Sequence, residues 1–137
     1  MLDLSPAATT TAAIVLLTVV TIESGGAFLV AVTTGRVPAT DFQRTFYRAG
    51  HAHAAVLVTL GLVCLVLAES ADLPGAWAWL GRTGVLLAAI LMPAGFFLSA
   101  AGRGRERPSG WVVLLPVGAA VLAAGVVTLA VGLLRTV

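Results

Sequence analysis

Four long apolar segments constrain this chain more than any other feature of its sequence. They run from about residue 12 to 32, 49 to 68, 83 to 101 and 111 to 134. A helix needs about 20 apolar residues to cross roughly 30 Å of hydrocarbon, and inside lipid it satisfies its own backbone hydrogen bonds. The segments therefore predict an all-α fold, an integral membrane four-helix bundle, in one transmembrane domain over residues 1–137.

The composition agrees with lipid as the main solvent. Hydrophobic residues make up 59% of the chain and charged residues 10%, whereas a soluble domain carries about 25% charged residues. We therefore expect the lipid bilayer to be a principal partner. The single cysteine, Cys64, excludes an intrachain disulfide and a cysteine-based zinc site.

The arginines are concentrated in alternate loops, a distribution that indicates membrane topology and does not predict a nucleic-acid partner. The chain has no lysine, and six of its eight arginines lie in two loops: Arg36, Arg44, Arg48, Arg103, Arg105 and Arg107. Short basic loops stay in the cytoplasm. We predict that loops 33–48 and 102–110 are cytoplasmic and that both termini lie outside. Abundant arginine without lysine is typical of high-GC bacteria, which places the chain in a bacterial inner (plasma) membrane. A lipid-headgroup or nucleotide-phosphate site in loop 102–110 is the alternative interpretation.

Two local patterns refine the bundle. Thr40 or Asp41 is a candidate N-cap, so the second helix has an alternative, earlier start. The fourth apolar segment carries small residues at helical spacing: Gly118, Gly125, Thr128 and Gly132. Such a stripe predicts a close packing face, either within the bundle or between protomers.

Glu23 is an ionisable residue near the middle of the first apolar segment. A charge inside a membrane span is costly and marks function by default. Ser24, Gly25 and Gly26 follow it, and small residues let a neighbouring helix or a cofactor approach the backbone closely. Glu23 is therefore a candidate proton carrier, metal ligand or counter-charge, and the alternative is a structural hydrogen bond to another helix.

His51 and His53 are the other ionisable candidates, and both lie in the second apolar segment. Successive helical residues turn by about 100°, so the two side chains point to nearly opposite faces. A regular helix cannot aim both at one metal ion. We expect one histidine to face the bundle interior and the other a second helix, an oligomer neighbour or the interface. The small residues around both rings suit a planar cofactor such as haem, and they suit tight helix packing equally well.

Three further residues are candidates for holding a cofactor. Arg48 could pair with haem propionates or phospholipid phosphates, although snorkelling to the interface also explains it. Tyr47 lies beside it, one turn before His51. Met92, just before Pro93, is a candidate soft axial ligand to haem or copper, and core packing is the alternative.

The segment Arg48-Ala49-Gly50-His51-Ala52-His53 carries a resemblance. Its Gly-His-x-His pattern resembles that of small four-helix bacterial membrane proteins distantly similar to the haem-bearing subunit of haem–copper oxidases. The resemblance covers about a dozen residues and implies a haem or metal site at His51 or His53. The chain lacks the remaining oxidase histidines, so an oxygen-reducing centre with copper is not implied.

These residues predict a membrane-embedded haem- or metal-binding protein for electron transfer or redox sensing. His51 and His53 would be ligands of haem or of a transition-metal ion, with Glu23 as a further ligand or proton acceptor. One alternative is a small oligomeric transporter or channel coupled to protons or cations. Another is an intramembrane enzyme that uses Glu23 and His51 as acid and base on a lipid or isoprenoid. We also expect a homo-oligomer or a subunit of a larger membrane complex.

Overall fold

A computed structural model describes residues 4–137 and confirms the all-α membrane fold. Its helices are α1 (Pro6–Thr33), α2 (Asp41–Leu67), α3 (Gly75–Ala100) and α4 (Leu114–Leu134), with short 3₁₀ turns at Ala68–Ser70 and Gly110–Val113. All four helices are long and apolar enough to cross a membrane. The chain is therefore a multi-pass membrane protein, whereas its orientation in the membrane stays a prediction.

Local capping explains why two of the helices, α1 and α2, begin before the apolar segments. The Ser5 side chain accepts a hydrogen bond from the Ala8 amide, and Pro6 occupies the first turn of α1. Thr40 and Gln43 form a capping box at the start of α2, which is the earlier start that the sequence allowed. Hydropathy marks the part of a helix that lies in lipid, and capping marks where the helix itself begins.

The helices pack in chain order, with α3 at the centre. Contacts run from α1 to α2, from α2 to α3 and from α3 to α4, and within residues 4–137 α1 packs on no helix other than α2. In the most apolar stretch of α1 only 6% of residues are buried, against 44% in α3. The helix that carries Glu23 is therefore the most exposed in the bundle.

The glycine stripe of α4 packs inside the bundle. A Cβ built on Gly84 of α3 would lie 2.8 Å from the Cα of Gly125, closer than real Cβ contacts come. Gly118 and Gly132 are also buried, against Met92 and Leu73 respectively. The sequence allowed these glycines to pack either within the bundle or between protomers. In the structure they pack within the bundle.

We predict that Gly125→Leu destabilises the protein by about 1–3 kcal/mol, because the new side chain has no room against the α3 backbone. Reversible unfolding in detergent micelles, followed by circular dichroism, measures this change. Ala124→Leu is the matched control, since Ala124 is the adjacent, exposed residue and its substitution leaves stability nearly unchanged. Equal stability of the two variants would contradict the close α3–α4 contact.

Candidate functional site

The contact between α1 and α2 centres on His51. A Cβ on Gly25 would lie 3.3 Å from His51 Nδ1, and a Cβ on Gly26 would lie 3.5 Å from its Cε1. The imidazole therefore packs directly on both glycines, and even a Cβ at Gly25 would be tighter than most real Cβ contacts. His51 is the residue that approaches the backbone of α1, at the glycines where the sequence predicted a close approach.

Glu23 lies to one side of this contact. It precedes Gly25 by two residues, which places it about 200° away around the helix. Its side chain is exposed, and no hydrogen bond or ion pair joins it to His51 or to any other of residues 4–137. The acid and base predicted for an intramembrane enzyme are thus not hydrogen-bonded to each other within the described chain.

His53 faces α3 instead of α1. Its ring centroid lies 4.9 Å from that of Phe96, and its Nδ1 lies 2.8 Å from the carbonyl oxygen of Ala49 one turn earlier. A carbonyl oxygen can only accept, so Nδ1 carries the hydrogen. In the neutral imidazole, Nε2 then holds the free lone pair. The two histidines therefore lie on different sides of α2, as expected from the helical turn.

Tyr47 fills the space between three helices. Its ring packs edge-on against Phe28 of α1, at 5.2 Å between centroids, and is stacked with Phe97 of α3, at 5.8 Å. Its hydroxyl donates a hydrogen bond to the carbonyl oxygen of Ala100, 3.2 Å away. The phenol is thus engaged in joining α2 to the end of α3.

The remaining predicted cofactor residues lie on other surfaces. Met92 packs against Gly118 of α4, whereas Phe96 and Phe97 of the same helix contact α2 at Gly50. Arg48 is exposed and lines a small cavity between the ends of α1 and α2. The predicted residues are therefore divided among several contacts of the bundle.

No group of three histidine, cysteine or acidic residues that could hold a metal ion occurs among residues 4–137. Glu23, His51 and His53 accordingly do not form a three-ligand set within one chain. Helical periodicity explains this outcome, because it turns His51 towards α1 and His53 towards α3.

Gln43 is a structural residue whose role the sequence did not reveal. Its side chain is 3% exposed, and its Nε2 donates to the carbonyl oxygens of Ala100 at 2.9 Å and Gly102 at 2.6 Å. These carbonyls lie at the end of α3, where helix geometry leaves acceptors without partners. The capping-box spacing from Thr40 was visible in the sequence, but the second partner lies 57 residues away.

The sequence also did not predict a polar cluster at the opposite end of the bundle. Arg82 Nη2 lies 2.6 Å from Glu69 Oε1, and the Ser5 amide donates to Glu69 Oε2 at 2.7 Å. One carboxylate thereby joins the start of α1, the end of α2 and the first turns of α3. Glu69 and Arg82 are thirteen positions apart. No local sequence motif predicts a contact at this spacing.

Neither a protein-family model nor a curated protein nor a solved structure matches this chain. The resemblance of the Gly-His-x-His segment to haem-bearing subunits therefore stays a prediction.

We predict that Gly25→Leu displaces His51, because the added side chain requires the volume that the imidazole occupies. The rate of modification of His51 by diethyl pyrocarbonate should rise several-fold, with His53 as the internal reference, measured by peptide mass spectrometry. Ala27→Leu adds a leucine at a nearby exposed position of α1 and should leave the ratio unchanged. An unchanged ratio in Gly25→Leu as well would contradict the contact of His51 with Gly25.

Proposed function

We propose that the protein binds haem or a transition-metal ion in the membrane, with Nε2 of His53 as the ligand, and serves electron transfer or redox sensing. The observation that carries this proposal is the hydrogen bond from His53 Nδ1 to the carbonyl of Ala49. Metal-ligating histidines almost always donate their other ring nitrogen in this way, which fixes the tautomer and the ring orientation.

Haem suits this chain better than a bare ion. A structural metal ion such as zinc takes about four protein ligands, and a catalytic zinc takes three, and the described residues offer no such set. Haem is held in proteins by one or two axial side chains. A single oriented histidine therefore meets the requirement of haem, which supplies one-electron redox chemistry when bound.

The surface around His53 is aromatic, which favours a planar ligand. Phe96 packs against the His53 ring, and Phe46 lies 5.5 Å from Phe96 on the same side of α2. A group bound at Nε2 of the partly exposed ring would be covered by lipid or by a second chain. His53 of a second copy of this chain would be a further residue able to hold the group, in agreement with the homo-oligomer that we expect.

In this proposal the other predicted cofactor residues have structural or separate roles. His51 packs on α1, Tyr47 holds the end of α3, and Met92 packs on α4. The proposal therefore assigns ligation to one histidine of the pair and helix packing to the other, which is a distinction that substitution can test.

We predict that protein purified from haem-replete membranes shows a Soret band that His53→Ala abolishes. His51→Ala is the matched control: it removes the same group two residues away and should keep the band. Elemental analysis of the same samples covers a non-haem metal. A wild-type protein with neither a Soret band nor a transition metal, or equal loss in both variants, would falsify the assignment of His53.

A second candidate function rests on Glu23, because its carboxyl is exposed in the middle of the most exposed spanning helix. Such a group is expensive in hydrocarbon unless it is protonated, paired or covered by another chain. Neighbouring hydroxyls do not compete for it, since Ser24 Oγ donates to the Val20 carbonyl of its own helix. An oligomer that surrounds Glu23 would shield the carboxyl from lipid and leave it to exchange protons or cations, and on this basis we propose proton- or cation-coupled transport as the second function.

We predict that Glu23→Gln reduces proton flux in proteoliposomes to the background of empty vesicles, because glutamine keeps the size but cannot exchange a proton. Leu17→Gln places an amide on the same exposed helix and should retain the flux of the unmodified protein. Flux is measured with a pH-sensitive dye under an imposed potassium diffusion potential. Undiminished flux in Glu23→Gln would remove this carboxyl from transport.

A further inference from the structure

A small cavity of about 230 Å³ lies between the ends of α1 and α2, next to the first loop. The last turns of α1 form one wall, and the first two turns of α2 form the other. Its lining residues are Leu29, Val32, Thr33, Arg44 and Arg48. The cavity thus has an apolar side and a side with two guanidinium groups, at the end of both spanning helices, where the bilayer changes from hydrocarbon to headgroups.

The two arginines of this cavity are available to an external anion. Arg44 and Arg48 are four residues apart, so they share one face of α2. Arg48 makes no hydrogen bond or ion pair with the part of the chain that the structure describes. Arg44 pairs only with Asp41, at 3.6 Å and with both side chains exposed, a kind of pair that contributes about 0–1 kcal/mol.

Guanidinium groups bind phosphate oxygens in pairs of parallel hydrogen bonds. Simple snorkelling explains an arginine that reaches from an isolated helix into water, but it does not require a second helix. Here the last turns of α1 close the other side of the arginine face with Leu29 and Val32, of which Val32 is 2% exposed. The result is a partly open cavity with two exposed guanidinium groups on one side and an apolar edge on the other.

The surface of α2 below Arg48 continues this site into the hydrocarbon. Ala52, Ala55 and Thr59 follow Arg48 at helical spacing on the same face and are exposed. A shallow groove runs here, lined by Ala55, Val56, Thr59, Leu60 and Val63. Small side chains on an exposed membrane helix leave a channel in which a hydrocarbon chain can lie.

From these features we propose that the α1–α2 end binds an anionic phospholipid. Arg44 and Arg48 bind the phosphate of its headgroup, and one acyl chain lies along Ala52, Ala55 and Thr59. This site lies on the Arg48 face of α2, distinct from the face of His53. The lipid would hold the loosely packed α1 against α2 at the end opposite to the Glu69–Arg82 cluster.

Native mass spectrometry of the full-chain protein in detergent tests the proposal. The probes are phosphatidylglycerol and phosphatidylcholine with identical acyl chains. Phosphatidylglycerol should bind at least about tenfold more tightly than phosphatidylcholine, and the Arg44→Gln/Arg48→Gln variant should lose about tenfold or more of that affinity. His53→Ala should bind phosphatidylglycerol as the unmodified protein does, which separates this site from the haem proposal.

The control variant is Arg103→Gln/Arg107→Gln, which removes the same charge from two exposed residues of the other basic loop. It should keep phosphatidylglycerol binding within about twofold. Equal losses in the two double variants would show general attraction to a basic surface and would overturn the proposal. Displacement of phosphatidylglycerol by millimolar inorganic phosphate would also overturn it, because the site would then recognise a free anion without the acyl chain.

Discussion

Close approach at glycine residues holds this bundle together. In hydrocarbon, helices have no hydrophobic driving force for association, so they depend on van der Waals packing and hydrogen bonds. Glycine provides the approach in all three neighbouring helix pairs: Gly125 meets the backbone of α3, Gly50 meets the rings of Phe96 and Phe97, and Gly25 meets His51. The α2–α3 and α3–α4 contacts are both extensive, whereas the α1–α2 contact is smaller. Because α3 packs between two helices and α1 lies at the edge, α3 is the most buried helix and α1 the most exposed.

The peripheral position of α1 determines the surroundings of Glu23 and His51. Glu23 is exposed because its helix packs on α2 and on no other helix of the described chain. His51 of α2 fits against α1 because the residues of α1 that it meets, Gly25 and Gly26, have no side chains. A carboxyl exposed in a span favours cover by a second chain. His53 lies on the other side of α2, where its ring packs against Phe96 of α3. Glu23, His51 and His53 therefore lie at separate surfaces of the bundle and do not form one shared three-residue site within the described chain.

Polar contacts at the two ends complement the glycine contacts within the span. At one end Gln43 and Tyr47 satisfy carbonyls at the end of α3, and at the other Glu69 joins Arg82 to the start of α1. Hydrogen bonds of this kind are effective at helix ends, where backbone groups lack partners within the helix. They join α2 to the end of α3 at one end of the bundle, and Glu69 to the start of α1 and to α3 at the other.

The amino-acid sequence by itself determined the four spanning helices, the capping box at Thr40 and the divergence of His51 from His53, because hydropathy, capping and helical turn are local properties. It also marked Gly25 and Gly26 as a place of close approach. Only the tertiary structure decided that His51 is the group that approaches, that Glu23 is left exposed, and that Gln43 and Glu69 join distant segments. Those outcomes depend on which helix packs beside which and at what height, and residues 13 or 57 positions apart carry no local signal of their contact.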